Sequence, residues 1–157
     1  MRPFNIVLVA PEIPQNTGTI GRLAVSTDSV LHLIDPLGFS LEDKYLKRAG
    51  LDYWQFLDLH RWKTWEDFTA ALEPGARLRF FSTHGTHSFF DETYLPGDYL
   101  VFGRESAGLP PEFYERYRDE LRIIPMPGSH SRSLNLANAV SIVLYEALRQ
   151  TRFSPGR

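Results

Sequence analysis

The chain has 157 residues, a length typical of one domain with one hydrophobic core. Its net charge of −2 excludes a global basic field for nucleic acid, so any RNA contact needs a local basic patch. The absence of cysteine excludes disulfides, thiolate catalysis and cysteine-based zinc sites. No apolar run approaches the ~18 residues that cross a bilayer, and the first residues lack the pattern of a signal peptide. We therefore expect a cytoplasmic protein without a membrane partner.

Strand-like and helix-like segments alternate along the chain. In chain order they are a strand over 4–10, a helix over 16–28, a strand over 30–34, a short basic helix over 41–49, a strand over 53–59, a helix over 64–72, strands over 77–82 and 99–102, a helix over 111–117, a strand over 121–124 and a helix over 134–150. Asn16 and Thr64 are the predicted N-caps of the first and third helices. This alternation predicts a single α/β domain over 1–157, with a mainly parallel sheet flanked by helices.

Three loops of unusual composition each follow a predicted strand, namely 11–18, 103–110 and 125–133. Because ligands bind outside the carboxyl ends of parallel strands, we expect all three loops at one edge of the sheet. In the first loop, Asn16 and the free amides of the helix start are typical of a site for an anion or a hydroxyl. Arg22, one and a half turns further on, can hold a phosphate or orient a nucleophilic hydroxyl. The alternative is a capped helix with a solvated arginine.

The second and third loops carry further candidate groups. Gly103 ends a buried strand, where a missing side chain permits close approach of a ligand, and Glu105 can accept hydrogen bonds from an amine or a hydroxyl. The alternative is a tight turn with an exposed acid. The third loop is rich in hydrogen-bonding groups that can surround a planar ring. His84 and His87 have no third ligand of matching type nearby, so we expect no metal site.

The last predicted helix carries one polar stripe on an otherwise apolar surface. The stripe consists of Asn135, Asn138, Ser141 and Tyr145. A helix this apolar has to be buried nearly all round, and a second copy of the chain can supply part of the cover in a twofold homodimer. The alternative is a central helix in a monomer.

Three motifs occur in a characteristic order: 11–18 (PEIPQNTG) with Arg22, 102–110 (FGRESAGLP), and 124–140 with its SRSLNLANAV ending. They resemble the three motifs of the SPOUT class of RNA methyltransferases. Because nothing is left over for a separate RNA-binding domain, the chain is similar to the minimal branch, the bacterial tRNA wobble-nucleotide 2′-O-methyltransferases. The segment 47–53 (KRAGLDY) matches that branch as well. The resemblance implies a deep trefoil knot at the C-terminal end, an obligate homodimer, and S-adenosylmethionine as the cofactor.

The resemblance also implies a reaction and a role for individual residues. The methyl group would go to the ribose 2′-hydroxyl of the wobble cytidine or modified uridine of tRNA, with leucine isoacceptors as the expected substrates. Arg22 would reach the reacting hydroxyl from the other subunit. The implied catalytic residues are Arg22, Ser131, Asn135 and Tyr145. The implied cofactor-binding residues are Phe81, Gly103, Ile124 and Ser133. The implied substrate-binding residues are Asn16, Glu105 and Arg132, to which the predicted basic face adds Lys44, Lys47 and Arg48.

The residues leave several questions open. The basic face at 44–48 can be a solvated surface without a partner, and Arg104 and the loop 127–130 depart from the composition expected of the family. The proton acceptor can be Tyr145 or a phosphate of the substrate. A nucleotide-binding fold of the Rossmann type would need a Gly-x-Gly-x-x-Gly turn that this chain lacks. The chain can also be a non-catalytic RNA-binding dimer, or an enzyme that methylates a different tRNA or rRNA nucleotide.

Overall fold

The computed structural model of the chain describes residues 2–153, apart from the side chains of residues 50 and 51. The strands of this part are β1 (Asn5–Val9), β2 (Val30–Ile34), β3 (Leu59–Trp62), β4 (Leu78–Phe81), β5 (His87–Ser88), β6 (Tyr99–Phe102) and β7 (Leu121–Ile123). The helices are α1 (Pro14–Ser26), α2 (Lys44–Gly50), α3 (Trp65–Ala70), α4 (Pro111–Arg116) and α5 (Leu136–Thr151). Short 3-10 segments cover Leu51–Phe56, Phe89–Asp91 and Arg118–Glu120. None of the described helices is long and apolar enough to span a membrane.

The strands form one sheet in the order β3-β2-β1-β6-β4-β7-β5, and every pairing in it is parallel. The central strand β1 is in register with both neighbours, so that Leu8 lies opposite Leu33 and Phe102. The predicted α/β fold with a mainly parallel sheet is confirmed. Because β1, β6, β4 and β7 are adjacent, the loops that follow them leave the sheet at the same edge.

Alternate residues of the central strands pack into two separate cores. Ile6 and Leu8 face a core that includes Ile20 of α1 and Val140 of α5. Val7, between them in sequence, faces the other core, which also holds residues of α3 and α4. This two-sided burial explains why β1 is an unbroken apolar run rather than an alternating one.

The helix starts depend on local chemistry. Thr64 is the N-cap of α3, as predicted, and its hydroxyl accepts a hydrogen bond from the amide of Asp67 at 3.0 Å. The predicted N-cap Asn16 is wrong, because α1 begins two residues earlier at Pro14, with Ile13 as its cap. Proline is well suited to the first helical position, since its fixed φ is already helical and it has no N–H to leave unpaired there. Asn16 therefore lies inside the first turn.

The predicted strand over 53–59 is also wrong. Its residues 53–56 belong to the 3-10 segment Leu51–Phe56, and the strand β3 starts only at Leu59. The aromatic residues of this stretch favour a strand by propensity, but the indole of Trp54 lies against Gly21 of α1. Tertiary packing has overridden the local preference. The short strand β5 has no counterpart among the predicted elements.

Helix α5 buries one side and exposes the other. Val140, Val143 and Leu144 are fully buried, whereas Ile142 is 39% exposed and Tyr145 is 50% exposed. The single chain therefore buries only part of the helix surface, and the expected cover of the rest by a second copy stays a prediction. Asn135 caps its start by accepting a hydrogen bond from the amide of Asn138 at 3.1 Å.

Candidate functional site

A cavity of about 770 Å³ opens at the carboxyl edge of the sheet, among the loops that follow β6, β4 and β7. Loop 1 (residues 10–13) joins β1 to α1, loop 2 (103–110) follows β6, and loop 3 (124–135) follows β7. All three contribute lining residues, so the predicted convergence of three loops is confirmed. The volume lies within the range of ordinary small-molecule sites, about 300–1,000 Å³.

The cavity combines apolar walls with polar groups. Phe81 and Phe102 stack at the strand ends, with ring centroids 5.0 Å apart, and Ile124 and Leu136 add aliphatic surface. The polar residues that line the cavity include Ser82, Ser133, Asn16, Asn135, Arg104 and Arg132. Such a mixture is typical of a pocket for a small organic ligand.

Glu105 ties loop 2 to loop 1. Its carboxylate accepts hydrogen bonds from the amide of Glu12 at 2.7 Å, the amide of Ile13 at 2.8 Å and the side-chain amide of Asn16 at 3.2 Å. The sequence predicted that the groups at this helix start would be free for an anion. The donors at the helix start are instead hydrogen-bonded by Glu105 of the same chain. Its carboxylate therefore connects loop 2 to loop 1 and is already occupied in the absence of a ligand.

Glu12 makes the reciprocal contact from loop 1 to loop 2. Its carboxylate accepts from the hydroxyl of Ser106 at 2.6 Å and from the amide of the same residue at 2.9 Å. These hydrogen bonds stabilise the ionised form and hold the pKa of Glu12 below its ordinary value. Loop 1 and loop 2 are therefore connected twice, by Glu105 of loop 2 and by Glu12 of loop 1.

Asn16 extends this network to loop 3. Its side-chain oxygen accepts from the side-chain amide of Asn135 at 3.1 Å, while Asn135 caps α5 with its own oxygen. Asn16 is only 8% exposed, and both ends of its amide are paired. One hydrogen-bond path thus runs from Glu105 of loop 2 through Asn16 of α1 to Asn135 of loop 3, and Glu105 also binds the amides of loop 1.

Besides the predicted close approach of a ligand, which stays a prediction, Gly103 has a structural reason to be glycine. A Cβ built on it would lie 2.0 Å from the carbonyl carbon of Gly108 and 2.2 Å from the nitrogen of Leu109. Loop 2 folds back on itself here, with Arg104 and Gly108 exchanging two backbone hydrogen bonds. The missing side chain permits this close turn of the backbone, and Gly103 lines the cavity as a consequence.

The structure brings most of the predicted site residues together at the cavity. Those that line it are Asn16, Phe81, Gly103, Glu105, Ile124, Arg132, Ser133 and Asn135. Ser131 lies beside it in loop 3, where its hydroxyl donates to the carbonyl of Ser133 at 2.9 Å. Arg22 and Tyr145 are exposed on α1 and α5 and do not line the cavity of their own chain.

The predicted basic face lies on α2, where Lys44, Lys47 and Arg48 are all exposed. Lys47 pairs with Glu42 at 2.7 Å, which partly offsets its charge and holds the pKa of Glu42 below its ordinary value. The ammonium of Lys44 lies 5.0 Å from the ring centre of Tyr45. The face therefore exists as predicted, with one of its three charges paired.

Sequence reasoning missed the contribution of the loop after β4. Ser82, Thr83 and His84 line the cavity next to Phe81, and the Ser82 hydroxyl accepts from the amide of His84 at 3.1 Å. A signal was present, since these polar residues follow a buried strand just as the other loops do. Among residues 2–153, no group of acidic or histidine side chains is arranged to hold a metal ion.

Comparison with known proteins gives consistent matches. The profile of the SpoU rRNA methylase family matches residues 3–145. A protein of Burkholderia ambifaria, named tRNA (cytidine(34)-2′-O)-methyltransferase, is 48% identical over 98% of this chain and 99% of its own length. A Bacillus subtilis protein, named as a putative enzyme of the same activity, is 46% identical over 96% of this chain and 94% of its own.

Solved structures share the fold. One, from a study of the 2-OH methylation of C/U34 on tRNA, has a TM-score of 0.89 and 48% identity, covering 95% of this chain and 96% of the other. The SpoU methyltransferase AviRb from Streptomyces viridochromogenes, in complex with AdoMet, has a TM-score of 0.85 and 30% identity. That match covers 100% of this chain and 60% of the AviRb chain.

Proposed function

Because the chain belongs to the SpoU rRNA methylase family, we propose that it transfers a methyl group from S-adenosylmethionine to the ribose 2′-hydroxyl of the wobble nucleotide of tRNA. The observation that carries the proposal is the cavity in which the three loops meet. Relatives named for the same reaction match over almost the whole length of both chains, which favours tRNA nucleotide 34 over another tRNA or rRNA position. The substrate is then a cytidine or modified uridine, as in leucine tRNAs.

The residues of the cavity fit S-adenosylmethionine. The apolar surfaces of Phe81 and Ile124 suit an adenine ring, and the backbone beside Gly103 and Ser133 offers the hydrogen-bonding groups that a purine and a ribose require. Arg104 lines the same cavity with a guanidinium that can meet a carboxylate. The bound cofactor supplies an activated methyl group on a sulfonium, so the protein needs neither a metal nor a covalent intermediate.

The remaining chemical task is to orient and deprotonate a ribose hydroxyl. Alignment of the reacting atoms can supply about 7–11 kcal/mol of the barrier reduction. Arg22 stabilises the negative charge that develops on the 2′-oxygen, and Tyr145 or a substrate phosphate takes the proton. Ser131 and Asn135 keep loop 3 in place. The side chain of Ser131 donates a hydrogen bond to the carbonyl of Ser133, and the side chain of Asn135 donates one to Asn16.

The active form that we propose is a homodimer in which Arg22 and Tyr145 reach the cavity of the other subunit. Two observations support this arrangement. Neither residue lines the cavity of its own chain. Ile13 and Leu134, which line the cavity, are exposed to 43% and 36%, and Ile142 and Tyr145 of α5 are exposed to 39% and 50%. A second copy that covers these side chains would also close the cavity against water.

A C-terminal trefoil knot and a cytoplasmic location belong to the same proposal. The sheet order supports a knot, because β4 lies between β6 and β7 and loop 3 must therefore pass close to loop 2 before α5 returns to the first core. A tRNA substrate would place the enzyme in the cytoplasm. The tRNA itself would contact Lys44, Lys47 and Arg48 of α2, with Asn16, Glu105 and Arg132 nearer the reacting nucleotide.

The test uses purified protein, S-adenosylmethionine and total tRNA from a strain that lacks the gene. Mass spectrometry of the digested tRNA is expected to show one new 2′-O-methylated nucleoside, mapped to position 34. Methylation at another tRNA position would redirect the proposal to that nucleotide. Binding of tRNA without any methyl transfer would contradict it and favour a non-catalytic RNA-binding dimer.

A further inference from the structure

The 3-10 segment Leu51–Phe56 lies outside the cavity, yet it touches the residue on which the proposed chemistry depends. The guanidinium carbon of Arg22 lies 4.9 Å from the centre of the Tyr53 ring. This distance is within the range of a cation–π contact, which extends to about 6 Å. Tyr53 belongs to the KRAGLDY segment, whose role the cavity does not explain.

Close packing between the segment and α1 creates this contact. A Cβ on Gly21 would lie 2.8 Å from the indole carbon Cζ3 of Trp54 and 3.2 Å from the Cδ2 atom of Leu57. Gly21 therefore leaves the space that the Trp54 ring uses to lie on the helix. Because Arg22 follows Gly21 and Tyr53 precedes Trp54, the same packing brings the guanidinium and the phenol ring together.

Arg22 has a guanidinium that no carboxylate pairs with in the described residues, unlike three other arginines of the structure. Arg61, Arg77 and Arg122 each place Nε 2.8 Å from a carboxylate oxygen. In the described part of the chain, Arg22 has no ion pair and only the Tyr53 ring as a side-chain partner. A carboxylate would orient a guanidinium but also offset its charge. An aromatic face orients it and leaves its hydrogen-bond donors free.

We infer that Tyr53 is a positioning residue that holds the Arg22 guanidinium in the orientation from which it meets the reacting sugar. This inference rests on the proposed function, in which Arg22 stabilises the developing 2′-oxyanion. Tyr53 acts through Arg22 and is not itself expected to touch the substrate. The stretch that propensity assigns to a strand over 53–59 thus contains a 3-10 segment with a role in placing a charge.

The test compares Tyr53→Leu with Tyr53→Phe. Removal of the ring is expected to lower kcat roughly 2- to 30-fold, the range expected for the loss of one cation–π contact, and to leave KM for S-adenosylmethionine unchanged. Tyr53→Phe keeps the ring and is expected to restore most of the rate. Phe90→Leu, which replaces an aromatic residue that is 61% exposed elsewhere on the surface, is the matched control.

A second measurement does not depend on activity. In NMR spectra, the side-chain protons of Arg22 are expected to show an upfield ring-current shift in the wild type and in Tyr53→Phe, but not in Tyr53→Leu. An unshifted Arg22 in the wild type, or an unchanged kcat in Tyr53→Leu, would overturn the inference. A wild-type protein that transfers no methyl group would instead overturn the proposed function, while the NMR result would still decide whether Tyr53 positions Arg22.

Discussion

Glu105 shows how a single side chain can join parts of the site that are far apart in sequence. It is half-buried and accepts from two backbone amides and one side-chain amide of residues 12–16. Glu105→Ala would leave these donors without their acceptor. We expect the free energy of unfolding to fall by about 1–3 kcal/mol and the affinity for S-adenosylmethionine to weaken, because loop 2 lines the cavity.

Chemical denaturation and calorimetry would measure the two effects of Glu105→Ala. Glu115→Ala is the control, since Glu115 is an exposed acid on α4 outside the cavity. Equal behaviour of the two variants would show that Glu105 does not join the loops in solution.

His32 predicts a pH dependence of stability. It is 7% exposed, its Nδ1 accepts from the indole N–H of Trp62 at 3.2 Å, and its Nε2 lies 3.1 Å from the side-chain oxygen of Asn5. Burial, with a smaller effect of the nearby His60, lowers the pKa of His32 to about 4. The unfolded chain takes up this proton near pH 6.5 and the folded chain does not, so stability falls as the pH drops from 6.5 towards 4.

The contribution of His32 is on the order of 3 kcal/mol, since each pKa unit corresponds to about 1.4 kcal/mol. It is fully present above about pH 6.5 and lost near pH 4. An NMR titration of the histidine ring protons checks the cause directly. We expect His32 to remain neutral through about pH 5, and a midpoint near 6.5 would contradict the burial argument.

At the residue level, the sequence could predict where the site lies but not how its members pair. Glu105 was correctly assigned to a loop at the site. Its partners Glu12 and Ile13 are more than 90 residues away in the chain, and no local pattern encodes that contact. The clash that requires glycine at position 103 is likewise not predictable from local sequence, because it comes from the way loop 2 folds back.

Among the elements, loop 2 gives a sharp prediction. Gly103→Ala would place a Cβ within 2.0 Å of the backbone of Gly108, so loop 2 would have to unfold or shift. We expect a loss of about 2 kcal/mol or more in the free energy of unfolding, with weaker binding of S-adenosylmethionine. Gly128→Ala in loop 3 is the matched control, because a Cβ added there would meet nothing within 4 Å. Thermal denaturation that ranks the two variants equally would contradict this explanation of the turn.

Helix α2 predicts a salt-dependent contact with tRNA. The variant Lys44→Glu/Arg48→Glu replaces the two cations that have no ion pair within residues 2–153. It is expected to weaken tRNA binding and to reduce the salt slope by about 1 for each phosphate that the protein no longer neutralises. Lys47→Glu alone should have less effect, since Glu42 already offsets its charge. Arg118→Glu is the control, because this exposed residue precedes β7 and lies at the opposite edge of the sheet. Unchanged binding of tRNA by the double variant would remove α2 from the proposed interface.

The bounds of helices and strands are predictable from the sequence where the local pattern favours a single type of structure. Strands β2 and β6 begin and end at the predicted residues, since each is a short apolar run between clear turn signals. The stretch from Tyr53 to Leu59 was not predictable, because its structure depends on Gly21 of another helix. Strand propensity is a property of each residue type alone, whereas the structure of this stretch is set by its packing against α1.

For the molecule as a whole, the sequence indicates an assembly of two copies, whereas the structure describes a single chain. The apolar composition of α5 suggested cover by a second copy, and the single chain indeed leaves Ile142 and Tyr145 exposed. The parallel order of the strands followed from the alternation of elements, but the position of β4 between β6 and β7 did not. That order depends on which loops cross, and local sequence carries no signal for it.

A heterodimer with two different defects tests the central claim most directly, namely that three loops of one chain hold the methyl donor while Arg22 comes from the other. One subunit would carry Arg22→Ala and the other Ser133→Trp, which fills the cavity. Each variant alone is expected to be inactive. The heterodimer, isolated through two affinity tags, has one intact site and should methylate tRNA at about half the wild-type rate. An inactive heterodimer would contradict this claim, because Arg22 would then have to act within its own chain.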